Sequence, residues 1–266
     1  MANTDLNVHG ARQNCENLTL SVITVSFNDL DRLQITMDSL MNVDSRVEHV
    51  LVVPTRDLKT RDFLKSRKLT SNSNQTVVLD GGHGVYDAMN LGISASSAKF
   101  ICFWNSGDRL FDLNNLQDFL ETLAFSSAPW LICEANLEWA NCDEYNSKSM
   151  LKFLLGEPNT FISHQAVIID RFMLKEIGLF NTRYKVAADT ELLIRCNYKF
   201  GQPQLFNKVI VHVQAPEFAS RNNRRSRFEI FVISLLRLKF HHKFIALYNL
   251  LCRELSVISK KYRGDK

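Results

Sequence analysis

Residues 100–108 read Phe-Ile-Cys-Phe-Trp-Asn-Ser-Gly-Asp, a short apolar run closed by a polar turn. So short and unbroken a run is the pattern of a strand buried on both faces, as in the middle of a parallel sheet. Upstream, residues 85–94 carry Val85, Ala88, Met89 and Ile93 at helical spacing, after a glycine-rich turn at 80–84 and a short strand at 76–79. Further upstream, residues 20–27 (LSVITVSF) and 47–53 (VEHVLVV, ended by Pro54) read as strands. A helix bearing Leu30, Leu33, Met37 and Leu40 lies between them, and a polar helix at 57–68 follows. Downstream come a helix at 112–125 and a strand at 130–135. Alternating strands and helices imply right-handed crossovers and an α/β fold with a mainly parallel sheet flanked by helices. Ligands of such sheets bind beyond the carboxyl ends of the strands, here residues 26–28, 54–57, 80–87 and 105–108.

The second half is less regular. Residues 136–148 read as a loop or ragged hairpin, 165–169 and 207–213 as strands, and 171–177 and 187–198 as helices. The 266 residues, 45% hydrophobic and 23% charged, suit one large domain, with or without a small appendage. That composition excludes a disordered chain, a collagen-like fibre and a coiled-coil rod. Six scattered cysteines with no C-x-x-C pair argue against a disulfide scaffold and a structural zinc, and for a reducing cytosol. Residues 1–17 are polar, with no apolar signal region, and no apolar run is long enough to span a membrane. P-loop, dinucleotide, nucleophile-elbow and zinc-protease motifs are all missing.

Charge is unevenly placed. Residues 221–266 hold 12 Lys/Arg against 3 Asp/Glu, while residues 1–220 carry a net charge of −5. Two amphipathic helices are expected between 228 and 258, broken near His241-His242. This basic tail, with Arg221, Arg224, Arg225 and Arg227 at its start, fits an anionic membrane surface. Packing on the body or a dimer interface would also use its apolar positions. No nucleic-acid recognition motif accompanies the charge, so nucleic acid is not expected as a partner.

Four polar motifs stand at or near the predicted element ends. Asn105-Ser106-Gly107-Asp108 is an Asx turn or a carboxylate placed to hold a cation on a diphosphate. Gly84-Val85-Tyr86-Asp87-Ala88-Met89-Asn90 opens a helix whose N-terminus favours an anion, with Tyr86 in the core on the plainer reading. His164-Gln165 precedes a strand, and Asp189 in A-A-D-T-E is a helix cap or a general base.

In this order and spacing the motifs resemble the inverting nucleotide-sugar glycosyltransferases of family 2 type, with the Rossmann-like GT-A fold. The opening S-V-I-T-V-S-F-N and the stretch L-K-E-I-G-L-F-N are similar to the same family, and the resemblance covers about residues 19–215. It places a polar extension at 1–18, the catalytic domain at 19–220 and the helical tail at 221–266. It implies that Val25, Ser26, Phe27 and Asn28 cradle the nucleoside. Asp87 and Asn90 would face ribose and diphosphate, with Asn105 beside them. His164 and Gln165 would lie near donor sugar and acceptor. Asp108 would hold Mn²⁺ or Mg²⁺, and Asp189 would be the catalytic base.

The implied reaction moves a sugar from a nucleotide-sugar, a UDP-sugar first among the candidates, to a polyprenyl-diphosphate-linked glycan. The setting would be O-antigen, capsule or exopolysaccharide synthesis, peripheral on the cytoplasmic face of a bacterial membrane. Three acids usual in the family are missing: Pro54 ends the second strand, Gly82 precedes the helix motif and Gly107 stands in the metal motif. Asp57 is an imperfect substitute for the first. These losses motivate the alternative of a catalytically impaired, glycosyltransferase-like binding or scaffold protein, and they lower the expected metal affinity.

Overall fold

A computed structural model describes residues 18–67, 74–138, 162–214 and 223–238. The first half alternates as expected: β1 (Leu20–Val25), α1 (Leu30–Ser39), β2 (Val47–Pro54), α2 (Leu58–Ser66), β3 (Gln75–Asp80), α3 (Val85–Ala95) and β4 (Phe100–Asn105). There follow β5 (Arg109–Leu110), α4 (Leu113–Phe125), β6 (Trp130–Leu137), β7 (Val167–Asp170), α5 (Arg171–Ile177), α6 (Ala188–Phe200), β8 (Gln204–Val213) and α7 (Asn223–Arg237). The strands form one sheet in the order β3-β2-β1-β4-β7-β6-β8-β5.

The sheet is parallel from β3 through β4, and again between β6 and β8. The pairings of β7 with β4 and β6, and of β5 with β8, are antiparallel. β4 is the central strand that its apolar run implied. Ile101 and Phe103 enter the core under α3 and α6, while Phe100, Cys102 and Trp104 enter the opposite core with α4. The polar letters of β2 have partners: Glu48 accepts from Ser21 Oγ and the Ser97 N–H, and His49 meets Thr24 Oγ1 at 3.0 Å.

Several boundaries differ from those read in the sequence. Pro54 is the last residue of β2, where its missing N–H is tolerated. His164–Ala166 form a 3-10 turn, so the strand expected from 165 begins at Val167. The two-residue β5 carries no run that a pattern could reveal; β8 defines it by pairing at His212 and Val211. Residues 1–17 and 139–161 lie outside the described residues, as does the expected break near 241. In the tail, α7 packs against α6 and buries Ile233 in the core under α3, with Leu238 just beyond its end.

α3 lies close on the sheet because Gly92 permits it. A methyl group there would stand 2.4 Å from Ile23 Cγ2 and 3.2 Å from Val52 Cγ2. Gly92→Ala is expected to lower stability by about 1–3 kcal/mol through overpacking, read from the urea midpoint. An unchanged midpoint would mean that α3 does not sit this deep.

Candidate active site

Strand order reverses between β1 and β4, since β2 and β3 continue on the other side of β1. A crevice opens at such a reversal, outside the carboxyl ends of the strands. Val25 closes β1 between Val52 and Asn105. Ser26 is buried with its N–H on the Val52 carbonyl, and its hydroxyl has no partner among the described residues. Phe27 is 57% exposed, with the Arg56 guanidinium 5.2 Å from its ring centroid. Asn28 turns the chain at φ 51°, a conformation asparagine tolerates, and donates its N–H to Asp57 Oδ2 at 3.1 Å. Asp57 is buried and caps α2 by accepting from the Thr60 N–H. It therefore ties two loops together and offers no open carboxylate.

Gly84, at φ 143°, precedes α3, and no side chain caps that helix. Asp87 is half-buried on its first turn. Asn90 brackets a distant backbone: its Nδ2 donates to the Phe180 carbonyl and its Oδ1 accepts from the Phe180 N–H, both at 3.0 Å. The amide expected to face ribose and diphosphate is thus occupied in positioning Phe180.

Asp108 is 1% exposed. Its Oδ2 accepts from the Asn105 N–H at 2.7 Å, its Oδ1 accepts from the Gln214 N–H at 3.0 Å, and the Gln165 amide donates to it as well. Burial pushes its carboxyl up to about 6, against the pull of these donors and of Arg32. A divalent cation needs several open oxygens and waters. A buried carboxylate with three N–H donors does not fit that need. No cluster of three His, Cys, Asp or Glu suited to a metal occurs among the described residues.

The expected base lies in a second cluster. Asp189 stands in the first turn of α6 with its side chain 28% exposed. It is not the helix cap; Ala187 holds that position. His164 Nδ1 is 3.5 Å from Asp189 Oδ2, and the Tyr86 hydroxyl is 3.4 Å from Oδ1 while donating to the Val186 carbonyl at 2.8 Å. Burial, reinforced by the Asp189 charge, keeps the Tyr86 phenol protonated far above its ordinary range. Burial lowers the His164 imidazole, and the Asp189 carboxylate opposes it. Neighbours 164 and 165 thus serve different groups, His164 the carboxylate at 189 and Gln165 the carboxylate at 108.

No protein-family profile matches the chain. An uncharacterised glycosyltransferase of Mycobacterium tuberculosis is 30% identical over 185 residues, 66% of this chain and 68% of the relative. The chain belongs to the glycosyltransferases. A PGL/p-HBAD biosynthesis glycosyltransferase of Mycobacterium bovis is 29% identical over 152 residues, 54% of this chain and 55% of its own. Solved structures with the same fold include S. aureus TarS in complex with UDP-GlcNAc. Its TM-score is 0.65 at 18% identity, over 90% of this chain and 73% of that one. The full TarS chain is spanned to 44%. Mannosyltransferase PcManGT from Pyrobaculum calidifontis, in complex with GDP-Man and Mn²⁺, has a TM-score of 0.63 at 14% identity, over 90% and 75%.

The structure of this glycosyltransferase gives roles to Phe180 and Glu191, which lie inside the quoted motifs, and adds Glu229, which lies in none. Phe180 stacks on Tyr86 at 5.4 Å and meets Phe103 edge-on at 5.0 Å. Glu191, fully buried two residues after Asp189, pairs with Arg195 and with Arg237 of α7. Glu229, buried on α7, accepts from the N–H groups of Lys185, Val186 and Ala187 at 2.8–3.0 Å. Burial alone would raise its carboxyl, but these donors and Arg225 hold it below the usual carboxylate range. Its only sequence signal was an acid among the arginines at the start of the basic tail.

Glu229→Ala should strip three consecutive N–H groups of their acceptor and lower stability by about 1–3 kcal/mol, seen in urea denaturation. Glu229→Gln, which keeps one acceptor oxygen, should lose less. Equal stability of all three proteins would contradict this bracing.

Proposed function

We propose that this glycosyltransferase moves a sugar from a nucleotide-sugar to an acceptor hydroxyl by a single inverting displacement on a GT-A framework. The observation that carries the reading is Asp189: a half-open carboxylate oriented by Tyr86 and His164. An acceptor hydroxyl is a poor nucleophile, and a positioned carboxylate takes its proton as the oxygen attacks the anomeric carbon. Tyr86 donates to the Val186 carbonyl and so fixes the backbone just before Asp189, while the imidazole of His164 lies against one carboxylate oxygen. As the new carbon–oxygen bond forms, the bond to the diphosphate breaks and the leaving nucleotide takes its electron pair. Holding donor and acceptor in line lowers the barrier further.

The donor would lie at the ends of β1 and β4, its base toward Phe27 and its diphosphate toward the uncapped start of α3. UDP, UDP-GlcNAc and GDP-Man in the neighbours' structures support a nucleotide-sugar. A relative named for PGL/p-HBAD biosynthesis supports a role in glycan synthesis, and we take the acceptor to be a lipid-linked glycan. Among the described residues no helix is long and apolar enough to cross a membrane. On α7, exposed Phe228, Phe231 and Leu236 stand among Arg224, Arg225 and Arg227, which supports contact with an anionic membrane surface. A scaffold without transfer would explain the missing acids at Pro54, Gly82 and Gly107, but not the braced Asp189.

Asp189→Asn should reduce transfer by about 10²–10⁴-fold, the usual contribution of a general base, with nucleotide binding by calorimetry nearly unchanged. Undiminished turnover would remove Asp189 from the base role. A wild-type protein that binds donors but never transfers would favour the scaffold.

A further inference from the structure

Position 107 favours glycine through its backbone conformation. Gly107 sits at φ 100°, where L-residues are strained, and its N–H donates to Thr36 Oγ1 at 2.9 Å. A Cβ added there would lie 1.9 Å from Gln214 Oε1 and 3.0 Å from Gln214 Cδ. The carboxamide at the end of β8 therefore fills the volume in which a second acid of a metal motif would begin. The backbone N–H of the same Gln214 donates to Asp108, the buried acid that is left. Gln214 thus occupies the space beside position 107, and with Asn105 and Gln165 it takes up the carboxylate of Asp108.

A leaving diphosphate still needs counter-charge, and arginine provides it at the same strand ends. The Arg32 stem lies 3.5 Å from the Cβ position at 107, and its charge acts on Asp108. A carboxylate near the crevice is thereby offset. Arg56 is exposed on the loop after β2. Its guanidinium faces the Phe27 ring and lies 3.4–3.7 Å from the Cβ position of Gly82. It thus reaches between the loops that follow β1 and β3. A guanidinium fork matches two phosphate oxygens at once.

We propose that this chain binds its donor's diphosphate without a divalent cation, with Arg56 as the counter-charge. This rests on the reading of the crevice as the nucleotide-sugar site.

The test is titration calorimetry of the purified protein with UDP, GDP and dTDP, in EDTA and in Mn²⁺ or Mg²⁺. The expected result is one preferred nucleotide whose Kd agrees within about twofold across these conditions. Arg56→Ala should weaken it about tenfold or more in both, as loss of a charge-assisted bidentate contact does, and Arg56→Lys should restore part. The Arg56 variants lie on the surface, so an unchanged melting temperature certifies their fold. Binding that vanishes in EDTA and returns with Mn²⁺ would overturn the proposal, as would an Arg56→Ala variant that binds like wild type. Absence of binding to every nucleotide in every condition would remove the donor site itself, and this proposal with it.

Discussion

The hydroxyl of Tyr86 joins the two halves of the molecule. It leaves α3, which belongs to the parallel half, and donates to the Val186 carbonyl beside Asp189, which belongs to the other. Everything around it keeps that bond in register. Gly92 lets α3 sink onto β1 and β2. Asn90 pins Phe180, whose ring packs on Tyr86. Glu229 holds the segment before Asp189 from the opposite side. A carboxylate that must meet an acceptor at about hydrogen-bond distance needs such bracing, because small misplacements are costly in rate.

A second constraint lies at the end of β4. Asp108, Gln165, Asn105 and Gln214 form one hydrogen-bonded node that closes the turn after the central strand. Two backbone N–H groups and one side-chain amide on a single buried carboxylate specify the turn firmly. The node gives the crevice a rigid wall but leaves its carboxylate unsuited to hold a cation.

The parallel half was legible because each strand is local. Phe100–Asn105 needs only its own apolar letters to read as a central strand, and Leu30, Leu33 and Met37 display their face in the sequence. The 3-10 turn at His164, the short β5 and the start of β8 depend on distant partners, so no local pattern encodes them. The same holds for the site. Asp189 and His164 stood out as motif residues, and their meeting at 3.5 Å agrees with that grouping. The roles of Asp57, Asn90 and Asp108 in tying backbone were not visible, since their partners Asn28, Phe180 and Gln214 lie from 29 to 106 positions away. Gly107 read as a lost acid; only the fold reveals that Gln214 has taken its space.

The central claim is a single displacement assisted by one carboxylate, with no covalent sugar on the protein. The most direct measurement is early-time proton NMR of the sugar released when the preferred nucleotide-sugar is hydrolysed by the enzyme without acceptor. Direct attack predicts a first-formed sugar of anomeric configuration opposite to that of the donor. Release with the donor's own configuration would contradict the single displacement.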